Sequence, residues 1–559
     1  MKPMQLLVIG GVAGGLSFAT RARRLNEEAE ITVLERGPDI SFANCGLPYH
    51  IGGEIPNRQS LTIQTPQSLK DMFRLNVRIN CNALQIDREK KRVLVVDRIS
   101  NEQEWIAYDK LMLAPGARPA MPDIPGIDDP AVFTLRNLQD MDRIIAIARP
   151  DMRAVVVGGG YVGLELLEQL HKKGLKTSLV HLHSHVLHQF DSQVIQPLQN
   201  ELKANGVQTY FNNHFTSFSR EGEVLKCQLA RGDVVETDMV IFSIGVRPES
   251  DLAREAGLVL SEAGHVVVNQ FMQTSDPDIY AAGDVVQTRE RHYGQRVAIA
   301  LAGPANRQGR VAADHIFQEI FAQPYPGSIG TSIVRLFGMV AAGTGWTEQA
   351  LIESGRSYNT VTVHEHQHAS YYPGAEMITL KLIWEPESGK ILGAQATGKD
   401  GVDKRIDVLA TAIIGRMTID DLCHLELAYA PPFGTARDII NIAGFAATNM
   451  RDGLIRLIHT IPDDPAVQLL DVRSRQLVER SPVEGAIHIP FPALRKNLGK
   501  LDKNKPVIVI CQLGRTSYFA SRVLSQNGFH AVSLTGGIRG LGHTEKSGVY
   551  TPCTTCSSI

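Results

Sequence analysis

The sequence predicts an α/β protein of several domains, and three observations carry that expectation. The 559 residues include 49 glycines and are 43% hydrophobic, a composition suited to parallel sheets joined by tight strand–helix turns. Twice, at 5–25 and at 154–170, a short apolar strand runs into a glycine-rich turn and then a helix. Near the C-terminus a third strand, Val507–Ile510, leads through Cys511 toward a helix over Tyr518–Gln526. The length leaves room for three to five domains.

Charge and cysteine usage narrow the class. A formal net charge of −2 with no basic tail argues against nucleic acid as a partner. The seven cysteines, at 45, 81, 227, 423, 511, 553 and 556, are odd in number and mostly far apart. That is thiol chemistry in a reducing, cytoplasmic setting rather than a disulfide framework. No apolar run reaches about 18 residues, so no membrane span is expected. The run Leu6–Ile9 is short, and Arg21, Arg23 and Arg24 follow where a signal cleavage site would stand. It reads as a first strand.

The strand Gln5–Ile9 enters Gly10-Gly11-Val12-Ala13-Gly14-Gly15, a G-x-G-x-x-G turn with Val12 at the middle glycine. The turn and the helix packing are kept, while the closest backbone approach to a pyrophosphate is relaxed. The next strand, Ile31–Leu34, ends on Glu35, where a carboxylate takes ribose hydroxyls. A second unit follows: Ala154–Val157, then the complete turn Gly158-Gly159-Gly160-Tyr161-Val162-Gly163, then a helix. Its second strand, Thr177–Val180, ends on His181 with His183 nearby, so the expected acid is missing and no Arg replaces it. NADH and NADPH are each normally marked by one of those residues, so the preference stays open.

Two dinucleotide units in one chain imply two nucleotides, with hydride transfer between them. Two similar strand–turn stretches accompany them, Leu111–Gly116 and Val240–Gly245. A strand near Ile279 then delivers Gly283-Asp284, placing a carboxylate for a ribityl hydroxyl. About ten residues past Glu35 lies Ser41-Phe-Ala-Asn44-Cys45-Gly-Leu-Pro-Tyr49. A Cys between Asn and Gly, ahead of a Pro, suits a helix start, where dipole and backbone N–H groups favour a thiolate. The competing reading is a buried structural thiol. Cys81, Cys227 and Cys423 sit in strand or helix patterns and read as inert.

Over roughly residues 1–446 these motifs, in this order, resemble the FAD-dependent pyridine nucleotide-disulfide oxidoreductases. With no second Cys close to Cys45, the stretch is similar to the single-Cys coenzyme A-disulfide and persulfide reductase type. The resemblance implies an FAD-binding domain over 1–115 plus 246–324, with Gly10, Val12, Ala13, Gly15, Glu35, Arg36, Gly116, Gly283 and Asp284 at the cofactor. It implies an NAD(P)H-binding domain over 116–245, with Gly158, Gly160, Tyr161, Gly163, His181 and Gly245 at the nucleotide. Coenzyme A is expected against Ser17, Arg21, Arg24, Ser41, Asn44, Asn306 and Arg437. Arg21 and Arg24 lie three apart on one helix face and suit its phosphates, although a solvated face explains them too.

From about Tyr325 the pattern changes to short strands (Ile333–Leu336, Ile378–Ile383) and a helix at Arg405–Ile414. This resembles the family's dimerisation domain, over 325–446, and implies a homodimer. There the family places tyrosines over the partner subunit's Cys, which makes Tyr371, Tyr372 and Tyr429 candidates for donating to a thiolate; packing beside prolines is the other reading. After a polar break at Ala447–Gly453, within a linker expected over 447–458, residues 459–559 resemble a rhodanese domain. That resemblance rests on Gln468–Arg473, Glu484–Pro490, Cys511-Gln-Leu-Gly-Arg515-Thr516-Ser517 and Gly536-Gly537. A strand ending in Cys511 and a short loop into a helix make a cradle of N–H groups suited to a persulfide. Related loops carry Arg five positions past the Cys; here that is Thr516, with Arg515 one earlier. The tail Cys553-Thr-Thr-Cys556 suits electron or sulfur shuttling, or no role at all. One such pair cannot complete a zinc site, and no metal is expected.

The resemblance implies a flavoenzyme that takes electrons from NADH or NADPH to sulfur held at Cys45, forming a mixed disulfide with coenzyme A. The rhodanese domain favours coenzyme A persulfide or polysulfide as substrate, with Cys511 accepting or relaying sulfane sulfur. Coenzyme A disulfide reduction, an NADH oxidase or peroxidase cycling Cys45 through a sulfenic acid, and a non-enzymatic sulfur carrier or redox sensor are the alternatives.

Overall fold

The structure, a computed structural model, describes residues 2–318 and 320–541. Cys553 and Cys556 lie outside the described residues. The chain divides into two compact units: Met1–Ser184 with Val207–Gly330, and His185–Gly206 with the chain from Thr331 onward. No described helix is long and apolar enough to cross a membrane.

The first unit holds two five-stranded parallel sheets that share the arrangement of four strands and differ in the fifth, which comes last in the chain in one and first in the other. In one the strands run in the order Ile279–Ala281, Lys110–Leu113, Gln5–Ile9, Glu30–Leu34, Asn76–Arg78. In the other the order is Val132–Thr134, Met239–Phe242, Arg153–Val157, Lys176–His181, Gln208–Phe211. Ile9 stands in register with Leu34 and Leu113, as Val157 does with Val180 and Phe242. The central strands are buried on both faces, which is why they read as unbroken apolar runs. Leu6, Leu7 and Val8 are all at or below 2% exposure, each burial contributing about 1.5–3 kcal/mol. Each fold also carries a three-stranded antiparallel sheet, Cys81–Asp87 to Gln103–Ala107 and Phe215–Glu221 to Val234–Thr237. Cys81 and Cys227 are core residues of these two sheets; burial raises both thiols, that of Cys227 to about 12.

The second unit contains an antiparallel sheet, ordered Ser332–Leu336, Met339–Gly345, Ile391–Gly398, Met377–Trp384, Asn359–His366, with the helix Val402–Ile414 packed on it. Lys381 is a charge buried in its core, 1% exposed and paired with Asp191 at 2.9 Å and with Glu348. These carboxylates hold the ammonium well above its usual range despite burial. A five-stranded parallel sheet follows, ordered Leu457–Ile458, Ala531–Leu534, Val507–Ile510, Gln468–Asp471, Ile487–His488. Beside it Arg473 forks onto Asp471 (Nε and Nη2 at 3.0 and 2.7 Å) and donates to the Ser481 carbonyl, fixing the end of the strand.

One expectation is corrected here. The stretch 447–458 is not a linker: the helix Ile439–Arg451 runs through its first five residues, and Leu457–Ile458 pairs with Ala531–Leu534. Ile439, Ile440, Ala443 and Ala447 form a buried stripe at helical spacing, and that stripe outweighs the polar Thr448 and Asn449. A capping box at Asp438 fixes the helix start. The helix after Cys511 likewise begins earlier than expected, at Arg515, because Gly514 takes a left-handed φ of +85° as its N-cap.

Candidate functional site

The two glycine turns are built alike. Gly10 and Gly158 adopt φ of +103° and +112°, and a Cβ at either would meet the carbonyl oxygen of Ala114 or Ser243 at 2.1 or 2.2 Å. A Cβ at Gly15 or Gly163 would stand 1.9 or 2.0 Å from the Gly10 or Gly158 oxygen. The helices Ala13–Leu25 and Tyr161–Lys172 thus press directly on their turns, the geometry that presents helix N–H groups to a pyrophosphate. Both turns fit a dinucleotide. Glu35 accepts from the Gly11 and Gly37 N–H groups at 3.0 and 2.9 Å. In the second fold His181 Nδ1 accepts from the Gly159 N–H at 3.1 Å.

Past the strand Ile279–Ala281, Gly283 donates to Gln308 Oε1 at 2.8 Å and Asp284 follows. Desolvation raises the Asp284 carboxyl, with Arg136 and His265 opposing. Gly116 lies against the Arg136 guanidinium, 2.6 Å from where its Cβ would be. Arg36 instead pairs with Glu249 at 3.0 Å. Gly245 takes a φ of +108° with open space beside it.

Cys45 lies in a short 3₁₀ turn, Asn44–Gly46, that feeds the helix Leu47–Ile51, with Pro48 in its first turn. Ser41, at φ +52°, donates its N–H to the Gly11 carbonyl at 2.9 Å, tying this stretch to the first turn. The helix packs against Tyr161–Lys172: Tyr49 donates to Glu165 Oε1 at 3.0 Å, and Gly52 sits under Gln169. The thiol therefore lies between the two folds and feels the field of both. Desolvation raises its pKa first, then Glu165, then Asp284, with its own backbone N–H opposing. Desolvation and the two carboxylates thus act against the thiolate that the helix start was expected to favour. All five described cysteines are free.

The coenzyme A candidates separate. Ser17 donates to Asn306 Oδ1 at 2.8 Å across the packed helices Ala13–Leu25 and Ala302–Phe317. On the same helix Arg21 pairs with Asp314 at 2.5 Å, while Arg24 is exposed. Arg437 belongs to the second unit, where it lines a cavity of about 700 Å³ with Tyr371, Tyr429, Leu513, Gly514 and Arg515. The Tyr371 and Tyr429 hydroxyls stand 3.4 Å apart, and this contact raises the Tyr371 phenol. Tyr372 is turned away, edge-on to His368 at 5.5 Å.

At the floor of the C-terminal domain Cys511 is 2% exposed. Its sulfur accepts from the Gly514 N–H at 3.1 Å and lies 3.3 Å from Ser517 Oγ, which Ser533 supports at 2.9 Å. Arg515 reaches away from this sulfur to Glu365 at 3.1 Å. Sequence reasoning missed Arg136, Glu165 and Ser517. Glu165 had a signal, one turn beyond Tyr161 on the helix that opens the second fold; Arg136, between two motifs, had none.

Two dinucleotide turns flanking an unpaired thiol, with a second thiol on a parallel-sheet domain, define a flavin- and pyridine-nucleotide-dependent oxidoreductase fused to a further α/β domain. The chain belongs to the pyridine nucleotide-disulphide oxidoreductase family, whose model matches residues 4–309. The family's dimerisation domain matches 332–438, and a rhodanese-like domain matches 456–543. Over 445 residues the chain is 34% identical to the coenzyme A disulfide reductase of Staphylococcus aureus (strain bovine RF122 / ET3-1), covering 79% of this chain and 99% of that one. The structure of reduced Bacillus anthracis CoADR-RHD matches with a TM-score of 0.94 at 41% identity, covering 97% and 98% of the two chains. That of an NAD-dependent persulfide reductase from A. fulgidus matches at 0.90 and 36%, covering 96% and 100%. The cofactors are FAD and NAD(P)H, and the two turns, Glu35 and Asp284 fit them.

Proposed function

We propose that the protein reduces coenzyme A persulfide, or polysulfide, to thiol and sulfide at the expense of NADH or NADPH. The observation that carries this reading is Cys45, unpaired and set where Asp284 of one fold and Glu165 of the other both act on its thiol. FAD at the first turn and NAD(P)H at the second supply the electron pair. Cys45, as thiolate, attacks the inner sulfur of coenzyme A persulfide, releasing hydrosulfide and leaving a mixed disulfide. Reduction of that disulfide returns two thiols, so one persulfide, one NAD(P)H and one proton give coenzyme A, hydrogen sulfide and NAD(P)⁺. Ser17, Arg21, Arg24, Ser41, Asn44, Asn306 and Arg437 are our assignment for coenzyme A, and Tyr371 and Tyr429 for the proton donors of a homodimer. We place the enzyme in a reducing cytoplasm, which suits its free thiols.

The cavity of the second unit favours persulfide over plain disulfide, because the loop of Cys511 shares it with Tyr371, Tyr429 and Arg437. There Cys511 accepts sulfane sulfur, its persulfide held by the Gly514 N–H and Ser517. Coenzyme A disulfide reduction is the second reading, favoured by the identity to the staphylococcal reductase.

Anaerobic NAD(P)H consumption tests both. Turnover on coenzyme A persulfide with release of sulfide is expected, reduced to background in Cys45→Ser with flavin still bound. Turnover on coenzyme A disulfide alone selects the second reading. Oxygen as the best acceptor, or full activity of the Cys45→Ser variant, refutes both.

A further inference from the structure

Beside Cys511 an apolar core turns polar. The cluster that encloses this thiol is built from Leu470, Val509, Ala520, Leu524 and Ala531. Two hydroxyls stand next to it all the same, Ser517 at 0% and Ser533 at 1% exposure. Ser533 is the polar residue of the strand Ala531–Leu534 and lies in register with Val509, two residues before Cys511. A buried hydroxyl weakens a fold unless it is bonded, and an apolar side chain would serve the strand better. The bond it makes is to Ser517 Oγ, at 2.9 Å.

We propose that Ser533 is a positioning residue for Cys511: by donating to Ser517 Oγ it holds that hydroxyl against the sulfur, so that Ser517 can turn its own hydrogen onto the thiolate. This rests on the reading that Cys511 accepts sulfane sulfur. Ser517 Oγ has one hydrogen, directed at the Gly514 carbonyl at 2.9 Å, and accepts from Ser533 and from the Cys511 thiol at 3.3 Å. Once Cys511 loses its proton, an oxygen lone pair faces an anion unless that hydroxyl rotates. Rotation strands no acceptor, because the Gly514 carbonyl keeps the Tyr518 N–H at 3.1 Å. The anionic sulfur then has two donors, the Gly514 N–H at 3.1 Å and Ser517. It attacks the terminal sulfur of a persulfide: the donor's S–S bond breaks, a new one forms at Cys511, and the donor leaves as a thiolate. Among the described residues no charged side chain bonds this sulfur. Asp471 and Arg473 pair with one another, Arg515 reaches Glu365, and Arg539 is exposed on the helix Gly537–Gly540. The hydroxyl pair is what the fold offers the anion besides a backbone N–H.

The test uses the full-length flavoprotein carrying Cys45→Ser, which silences the other candidate nucleophile. Two rates are read. One is thiocyanate formed from polysulfide and cyanide, above the level of the Cys45→Ser/Cys511→Ser protein. The other is alkylation of the Cys511 peptide by iodoacetamide, followed by mass spectrometry from about pH 6 to about pH 10. Ser533→Ala should slow both about three- to tenfold near pH ~7. Its deficit in alkylation should shrink to within about twofold near pH ~10, where the thiolate forms unaided. Ser533→Thr, which keeps the hydroxyl on a strand that suits β-branched residues, should stay within about twofold of the unaltered rates throughout. Unchanged rates in Ser533→Ala, a deficit as large at the alkaline end as near neutrality, or an equal deficit in Ser533→Thr overturns the proposal. Thiocyanate formation no faster than in the doubly substituted protein would instead remove the reading of Cys511 as a sulfur acceptor, and the alkylation profile still decides on Ser533.

Discussion

The two glycine turns of the first unit share the arrangement of four strands, their register and a left-handed first glycine, and two of the positions at which they differ are informative. The middle residue is Val12 in one and Gly160 in the other, and the strand-end acceptor is Glu35 in one and His181 in the other. What is common belongs to folding: Gly10, Gly15, Gly158 and Gly163 are pressed against carbonyls and admit no Cβ. What differs belongs to the ligand. Gly160 has nothing within 4 Å of its absent Cβ, so the protein itself does not require glycine there. In one fold the backbone N–H of the turn's second residue is met by a carboxylate, in the other by an imidazole nitrogen.

The largest way to break that comparison is to fill the close contacts. Gly15→Val should yield protein without flavin colour, whereas Gly163→Val should keep the colour and lose flavin reduction by NAD(P)H about 100-fold, equivalent to about 2.7 kcal/mol. Stopped-flow absorbance reads both, and loss of flavin from the second variant would show that the two turns are not separable. Next, Glu35→Gln removes the charge from two hydrogen bonds (Gly11 and Gly37) and should weaken flavin retention about tenfold, since charged bonds contribute about 1.5–3 kcal/mol. Dialysis against the free cofactor measures it. Gly160→Ala sharpens the contrast: Tm should not move, while KM for NAD(P)H rises roughly severalfold, because the methyl meets only the pyrophosphate. A fall in Tm would place that glycine among the folding residues.

The smallest effect concerns the thiol between the turns. Because Glu165 raises the Cys45 pKa, Glu165→Gln lowers it, and alkylation by iodoacetamide should begin at lower pH. The thiolate fraction increases as pH rises in both proteins, so the variant's rate curve is displaced toward acid. An undisplaced curve would mean that the carboxylate does not act on the sulfur.

The parallel sheets were legible because their central strands are buried on both faces. Gln5–Ile9 and Val507–Ile510 stand where the apolar runs place them. The polar residues after Ala447 were misleading, since a helix reads its environment by face and the buried stripe sits on the other side. Cys45 was legible as a residue but not as an electrostatic site. Its two carboxylates come from 120 and 239 positions away in the chain, distances over which a local motif carries no information. His181 shows the converse: a missing acid in the sequence is, in the fold, an occupied acceptor position.

The strand Asn359–His366 has a consequence for how the protein is divided. Its Thr362 N–H donates to Thr535 Oγ1 at 3.0 Å, His364 Nε2 reaches the Gly536 carbonyl at 3.0 Å, and Glu365 holds Arg515. His364 is buried, and desolvation lowers its pKa to about 4, which favours the neutral ring in this contact. The rhodanese-like portion is therefore a graft rather than a bead on a string. Cutting the chain near residue 452 would strip a buried amide and a buried imidazole of their acceptors and leave a raw face on each fragment.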